Sequence, residues 1–376
     1  MARRNLLSTV GALALGAKRA RGAAAERVFL TGDGVPLTPR ERARLLTDIT
    51  ERRQITMDNY SLGGVVAELE QRMAALLGKE RAVFFATGTL ANHMGVRLLA
   101  KGGRALTQAE SHLYRDSGDC VQRLSAINLT PLAPHRAAFT LADVEEQVES
   151  AADGRVAMRV GAISIETPVR RLDGEVMPFS DMKAICEYAR RRGIGTHLDG
   201  SRLFLAAPYT GVSVKQYAAL FDTVYVSTFK YFNANFGAVL AGPDALLKDL
   251  YQERRMFGGG VPHAWAEAAV SLHYLDGFEQ RYSKAVAAAE QTFERVAKTT
   301  GIEVRRVKPG TNIAFLRLKD SAADGAVNRL KAAGVAVESP RAAVNGWREV
   351  AVRTNETILR APAEETARRI SAAIEG

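Results

Sequence analysis

The sequence predicts an α/β protein whose large domain holds a mainly parallel sheet covered on both faces, followed by a smaller C-terminal α+β domain. Three observations predict it. Short apolar strands alternate with amphipathic helices after residue 26, and strands separated by helices of about ten to fifteen residues pair in parallel through crossovers. The chain has 376 residues, enough for a large domain and an appendage. From about residue 263 the pattern changes to a long helical region, then to strands around one helix. The expected division is a leader over 1–25, a large domain with an N-terminal arm over 26–255, and a small domain over 256–376.

The elements follow in order. Thr38 as N-cap and Pro39 in the first turn open a helix over "TPRERARLLTDIT". In "GGVVAELEQRMAALLG", Val66, Leu69, Met73 and Leu76 lie at helical spacing, and Gly78 stops the helix. "RAVFFAT" reads as a strand and "GTLANHMGVRLLAKGG" as the next helix. "VAMRVGAISIET" contains a strand ending near Glu166. "SDMKAICEYARRRG" is a helix with Ser180 as its expected cap, Gly193 as its stop, and Met182, Ile185 and Ala189 on one face. "IGTHLD", "DTVYVSTF" and "FGAVLAG" are three further strands. "AWAEAAVSLHYLDGFEQRYSKAVAAAEQTFERVAKTTG" is two helices broken near Leu275 to Gly277. "IEVRRV", "TNIAFLRL" and "VAVESP" read as strands around the helix "AADGAVNRLKAAG".

Composition excludes several classes. The apolar fraction is 47% and the charged fraction 24%, both ordinary for a globular protein. No apolar run is long enough to span a bilayer. The net charge is +10, but Arg3, Arg4, Lys18, Arg19 and Arg21 precede the first acid, Glu26. The remaining basic residues are interspersed with acids, which reads as a solvated face and argues against nucleic acid. Cys120 and Cys186 are the two cysteines, with no spacing that suggests a disulfide, and no Cys/His cluster has metal-ligand spacing.

The opening "MARRNLLSTVGALALGAKRARGAAAERV" has an Arg pair, a short apolar run and then small residues. This is the layout of an export signal of the twin-arginine type, with "AAA" at 23–25 as the cleavage site. The expected location is therefore periplasmic or exported, with a cytoplasmic protein as the alternative. A plain N-terminal extension and a mitochondrial transit peptide fit the same residues. No membrane contact beyond export is expected.

Two charged residues stand where apolar strands end: Asp199 in "HLDGSRLF" and Lys230 in "DTVYVSTFKYFNANFG". In such sheets ligands sit beyond the carboxyl ends of the strands. An acid there needs a partner, and Arg202 is one candidate. A lysine there is desolvated, which lowers its pKa and makes the amine a nucleophile. A lysine with an acid from the neighbouring strand is what pyridoxal phosphate requires: the lysine forms the Schiff base, and the carboxylate keeps the pyridine nitrogen protonated. "ATGTLAN" places Thr87, Gly88 and Thr89 between a strand and a helix, where a phosphate binds or an ordinary cap sits. "ESHLYRD" places His112 in a polar loop, where it can stack on the ring.

The order of these motifs resembles the threonine aldolase and aromatic amino acid β-eliminating lyase family of fold-type I pyridoxal phosphate enzymes, from about residue 29 to 275. "DNYSLGGVVAELEQRMAALLGKERAVFFATGTLANHMGV" is similar to the family's stretch from Asp-x-Tyr to Ser-Gly-Thr-x-x-Asn. "HLDGSR" is nearly its His-Leu-Asp-Gly-Ala-Arg. "FKYFNANFGAVLAG" and "MFGGGV" resemble its lysine segment and Gly-rich turn. The resemblance implies that Lys230 binds the cofactor covalently, Asp199 pairs with the pyridinium and Arg202 contacts the phenolic oxygen. It implies that Thr87, Gly88 and Thr89 hold phosphate, with Ser227 and Thr228 also available to it, and that His112 stacks on the ring. Arg171, Thr31 and Arg353 are the implied substrate-side residues. His112 or a water is the implied base.

The implied activity is a lyase cleaving β-hydroxy-α-amino acids to glycine and an aldehyde. β-Elimination, transamination and cofactor binding with little turnover are the alternatives. The implied partners are an amino acid substrate and a second copy of the chain, as homodimer or homotetramer; no metal is implied. The chain departs from the family at "ETPV", residues 166–169, where Thr167 replaces an Asn and Val169 a His. Phe229 replaces the Ser before the lysine, and Tyr231 the Gly after it. Phe229, Tyr231 and Phe232 therefore suggest either an apolar pocket or packing.

Overall fold

The computed structural model describes residues 27–375; the leader read over 1–25 lies outside the described residues. The strands in chain order are β1 (Val28–Phe29), β2 (Arg81–Phe85), β3 (Arg104–Gln108), β4 (Leu129–Leu132), β5 (Val160–Glu166) and β6 (Gly195–Asp199). They continue with β7 (Thr223–Ser227), β8 (Ala238–Gly242), β9 (Ile302–Arg306), β10 (Ile313–Lys319), β11 (Val335–Ala336) and β12 (Trp347–Arg353).

The main sheet has the order β2-β8-β7-β6-β5-β3-β4. Strands β3 to β7 are parallel, and β8 runs antiparallel to both β7 and β2. No helix separates β7 from β8, so the chain turns back directly, and Lys230 rides on that connection. Every residue of β5, β7 and β8 is buried, because helices cover both faces. On one face Tyr225, Ala238 and Leu240 meet Ala91 and Met94 of helix Gly88–Ala100. On the other, Ile163, Ile165, Val224, Val226 and Val239 join the large core beneath helices Gly64–Leu77 and Phe179–Arg191. Each fully buried side chain of this kind stabilises the fold by about 1.5–3 kcal/mol.

Most local expectations hold. Helix Pro39–Arg52 carries the capping box of Thr38 and Glu41. Gly78 closes helix Gly64–Leu77 in the left-handed conformation. The predicted helix break falls between Trp265–Leu275 and Phe278–Val296.

Four expectations need correction. Leu76 is exposed and Leu77 is buried, because the stripe through Leu69 and Met73 continues at i+4. Ser180 is not the cap: helix Phe179–Arg191 starts directly after Pro178, and the Ser180 hydroxyl turns to Asp181. "VAVESP" yields only the two residues of β11, which pair in parallel with β1. The third strand of the small antiparallel sheet is instead β12, giving the order β12-β10-β9. The helix in "AADGAVNRLKAAG" splits at Asp324–Gly325 into Asp320–Ala323 and Ala326–Ala332.

The division at 255/256 falls inside helix Leu250–Met256. Helix Trp265–Leu275 packs on helices Pro39–Arg52 and Gly64–Leu77. The C-terminal unit begins with helix Phe278–Val296 and takes β1 from the N-terminal arm. Tertiary pairing, not continuity of chain, decides where the arm belongs.

Candidate active site

Functional side chains converge because five strands deliver them to one edge of the sheet. Gly88 follows β2, His112 follows β3, Glu166 ends β5, Asp199 ends β6 and Lys230 follows β7. The resulting cavity of about 630 Å³ is lined by Thr31, Asp33, His112, Glu166, Asp199, Arg202 and Lys230, among others. A second cavity of about 310 Å³ is lined by Thr87, Gly88 and Thr89. The two share His112, Tyr225, Phe229 and Lys230 as a common wall.

Burial, and then the charge of Arg202, lower the Lys230 amine to about 8, against the opposing pull of Asp199. A substantial neutral fraction of the amine therefore exists near neutral pH. Its Nζ lies 4.8 Å from the centre of the Phe229 ring.

Asp199 takes its hydrogen bonds from an amide and a backbone N–H rather than from Arg202. Its Oδ2 accepts from Asn92 Nδ2 at 2.6 Å, and its Oδ1 accepts the Ser201 N–H at 3.1 Å. Asn92 Oδ1 faces His197 Nε2 at 2.9 Å, and His197 Nδ1 faces Thr223 Oγ1 at 2.8 Å. Burial lowers His197 to about 4, so the ring is neutral. With Nε2 protonated toward Asn92 and Nδ1 accepting from Thr223, every polar atom in this line finds a partner. Arg202, the candidate partner for Asp199, pairs instead with Asp33, Nε to Oδ2 at 2.8 Å.

Glu166 accepts the backbone N–H groups of His112 at 2.5 Å and Arg170 at 2.9 Å. Burial and the charge of Asp199 push its carboxyl up to about 8. His112 opens the short helix His112–Arg115, with Nδ1 3.3 Å from the Ser117 hydroxyl. Burial lowers its pKa as well, leaving a neutral imidazole on the cavity wall.

Helix Gly88–Ala100 points its N-terminus at the smaller cavity, with Thr87 as N-cap. The first N–H groups of a helix have no internal partner and favour an anion. Position 88 favours glycine, since a Cβ there would sit 2.0 Å from the Tyr225 hydroxyl unless one of the two shifts. The Thr228 hydroxyl is buried without a hydrogen-bond partner among the described residues, and neither it nor Ser227 lines either cavity. A nucleophilic amine, a nearby buried carboxylate, a flat ring on the wall and an anion cradle together fit pyridoxal phosphate.

The substrate-side expectations fare unevenly. Thr31 lines the larger cavity. Arg171 does not: it is 41% exposed and pairs with Asp116 at 3.0 Å and Glu110 at 3.6 Å. The wall is formed by its neighbour Arg170, because successive residues of the tight turn Arg170–Leu172 point in different directions. Arg353 pairs with Glu338 at 2.8 Å and approaches the cavity only through Asp33, at 4.0 Å. Tyr231 and Phe232 are packing residues, in ring contact with Phe204 and Phe278. Phe229 alone of the three lines the cavities. Val169 is fully buried and lines neither cavity.

Sequence reasoning missed Asp33, Asn92, Glu166, Arg170, His197, Tyr225 and Asn233. Asn92 and His197 lie inside quoted motifs, and their polarity within apolar runs was a usable signal. Asn233 also lies inside a quoted motif, whereas Asp33 had no such signal. Cys120 and Cys186 are free thiols. Among the described residues no acidic, His or Cys group could hold a metal ion, and no helix is long and apolar enough to cross a membrane.

The family model described as beta-eliminating lyase matches residues 54–319. A low-specificity L-threonine aldolase of Candida albicans is 29% identical over 221 residues, 58% of this chain and 58% of that protein. Aldolase vrtJ of Penicillium aethiopicum is 31% identical over 238 residues, 60% of this chain and 59% of that one. The chain thus spans somewhat over half the length of these relatives. In fold it is similar to a Listeria monocytogenes protein provisionally assigned as an L-allo-threonine aldolase. The TM-score there is 0.78 at 24% identity, covering 93% of this chain and 96% of that one.

Proposed function

The chain belongs to the beta-eliminating lyase family, and on that footing we propose that it is a pyridoxal-phosphate-dependent lyase that cleaves β-hydroxy-α-amino acids to glycine and an aldehyde. The observation that carries this reading is Lys230, its amine lowered to about 8, in the wall shared by two cavities with Asp199 beside it. Lys230 would hold the cofactor covalently, and the N-terminus of helix Gly88–Ala100 would take its phosphate. Asp199 would face the ring nitrogen, and His112 would cover the ring. The cofactor, when bound, supplies an electron sink for the pair released at the substrate Cα.

The chain's own residues do the rest. The Asn92 amide fixes the orientation of the Asp199 carboxylate. Glu166 fixes the backbone at His112 and at Arg170 together. The neutral His112 can accept the proton of a β-hydroxyl at Nε2, leaving Nδ1 with Ser117. The sequence relatives named as aldolases support this choice of reaction over β-elimination.

The test is direct. The purified protein, reconstituted with pyridoxal phosphate and reduced with borohydride, gains the cofactor's mass at Lys230. A panel of amino acids scored for glycine plus aldehyde, against ammonia plus keto acid, then identifies the reaction. A colourless protein with an unmodified Lys230 sinks the proposal.

A homodimer is part of the same reading. Met57, Tyr60, Leu62 and Met256 are large apolar residues left exposed, and Arg255, beside Met256, lies over the Tyr60 ring at 4.7 Å. Such a patch favours a partner surface, and sedimentation of the parent against Met256→Glu checks it. Export by the twin-arginine route rests on the Arg3–Arg4 pair and the residues after it. A reporter fused to residues 1–30 that stays inside the cell would count against it.

A further inference from the structure

The N-terminal segment is fastened to both units of the molecule. Strand β1 pairs with β11, and Asn355 Nδ2 donates to the carbonyls of Phe29 at 2.9 Å and Thr31 at 3.2 Å. A few residues on, the Val35 N–H donates to Asn233 Oδ1 at 3.0 Å. Gly34 lies so close to the Lys230 connection that a Cβ would stand 2.4 Å from the Lys230 carbonyl. Asp33 sits where the two attachments meet. Its Oδ2 accepts from Arg202 Nε at 2.8 Å, while its Oδ1 lies 3.4 Å from Asn312 Nδ2 and 4.0 Å from Arg353 Nη1.

This contact uses one edge of the Arg202 guanidinium. The Nη nitrogens of Arg202 have no hydrogen-bond partner among the described residues, and Arg202 lines the larger cavity with Lys230. The arginines implied on the substrate side differ: Arg171 is committed to Asp116 and Glu110, and Arg353 to Glu338. A guanidinium offers its donors in a fixed plane, so whatever holds Nε sets where the Nη edge points. We propose that Asp33 is the positioning residue for Arg202, holding it by Nε so that its Nη edge receives the carboxylate of an amino acid ligand. The proposal rests on the amino acid reading above. Asp33 comes from the N-terminal arm, so it ties ligand recognition to the seating of that arm between the two units.

The test uses the full-length holoenzyme, titrated by absorbance with glycine and with methylamine, which lacks the carboxylate. Parent, Asp33→Asn and Asp33→Ala are compared. Loss of an oriented charge-assisted contact lowers the preference for glycine over methylamine about tenfold or more in Asp33→Ala, and less in Asp33→Asn, which keeps an acceptor for Nε. The methylamine midpoint stays where it was. Combined with Arg202→Gln, the Asp33→Ala change adds no further loss.

Equal weakening toward both amines marks a merely structural role and overturns the proposal. An unchanged or increased preference for glycine also overturns it, the increase making Asp33 a competitor of the ligand carboxylate. If Asp33→Ala does not fold, Asp33→Asn carries the same comparison. A parent that takes up no cofactor rejects the lyase reading and this proposal together, whereas a coloured parent with unchanged preference in the variants rejects this one alone.

Discussion

Glu166 and Asp199 are register partners on adjacent parallel strands, both almost fully buried, so two carboxylates share the floor of one cavity. Like charges this close disfavour double ionisation. Asp199 has the Asn92 amide on it, while Glu166 has its carboxyl pushed up to about 8 by burial and by Asp199.

Stability therefore depends on pH at this pair. A carboxyl whose pKa is raised on folding binds protons more tightly in the folded state. Its contribution is fully present below the ordinary Glu value of 4.5 and is lost as pH rises toward about 8. Glu166→Gln removes this dependence. The Tm of the parent relative to that of the variant is expected to fall between pH 5.5 and pH 8, measured by scanning calorimetry. A gap independent of pH would show that Glu166 is ionised throughout.

Lys230 makes a kinetic prediction. Uptake of pyridoxal phosphate by the apoprotein needs the neutral amine, so its rate rises with pH through about 8 and levels off above. Lys230→Ala abolishes borohydride labelling and lowers turnover by about 10³-fold or more. A midpoint near the ordinary lysine value would remove the desolvated amine from the account.

The line from Thr223 through His197 and Asn92 to Asp199 is buried and satisfied. Asn92→Leu leaves a carboxylate oxygen and an imidazole nitrogen unpaired, at about 1–3 kcal/mol each. Chemical denaturation reads that loss, and the absorption maximum of the holoenzyme shifts with it. His197→Ala costs stability comparably but shifts the spectrum less, because Asn92 still touches Asp199.

Phe232 and Phe229 separate packing from function. Phe232 is fully buried against Phe204, Tyr231 and Phe278, and Phe232→Ala costs about 3–5 kcal/mol. Phe229 is 47% exposed on the wall between the cavities. Phe229→Ala is expected to stay within about 0.5 kcal/mol of the parent in stability while changing KM across a series of amino acids with longer side chains. Equal stability losses in the two variants would contradict this division.

Gly88→Ala places a methyl against the Tyr225 hydroxyl and is expected to cost about 1–3 kcal/mol. It also weakens cofactor retention on dialysis, because the helix N-terminus must shift to make room.

What the sequence determined by itself is whatever depends on neighbours in the chain. Hydrophobic period located the helices and the buried strands, caps and glycines located most of their ends, and the strand ends located Asp199 and Lys230. Tertiary structure decided whatever depends on pairing across the chain. It sent Arg202 to Asp33 rather than to Asp199, 169 positions apart rather than three. It turned Arg170 rather than Arg171 toward the cavity, and carried the N-terminal arm onto the strand at Val335–Ala336. A side chain's period is set by backbone geometry, which is local; its partner is set by which surfaces the packed core brings together, and no short stretch of sequence holds that information.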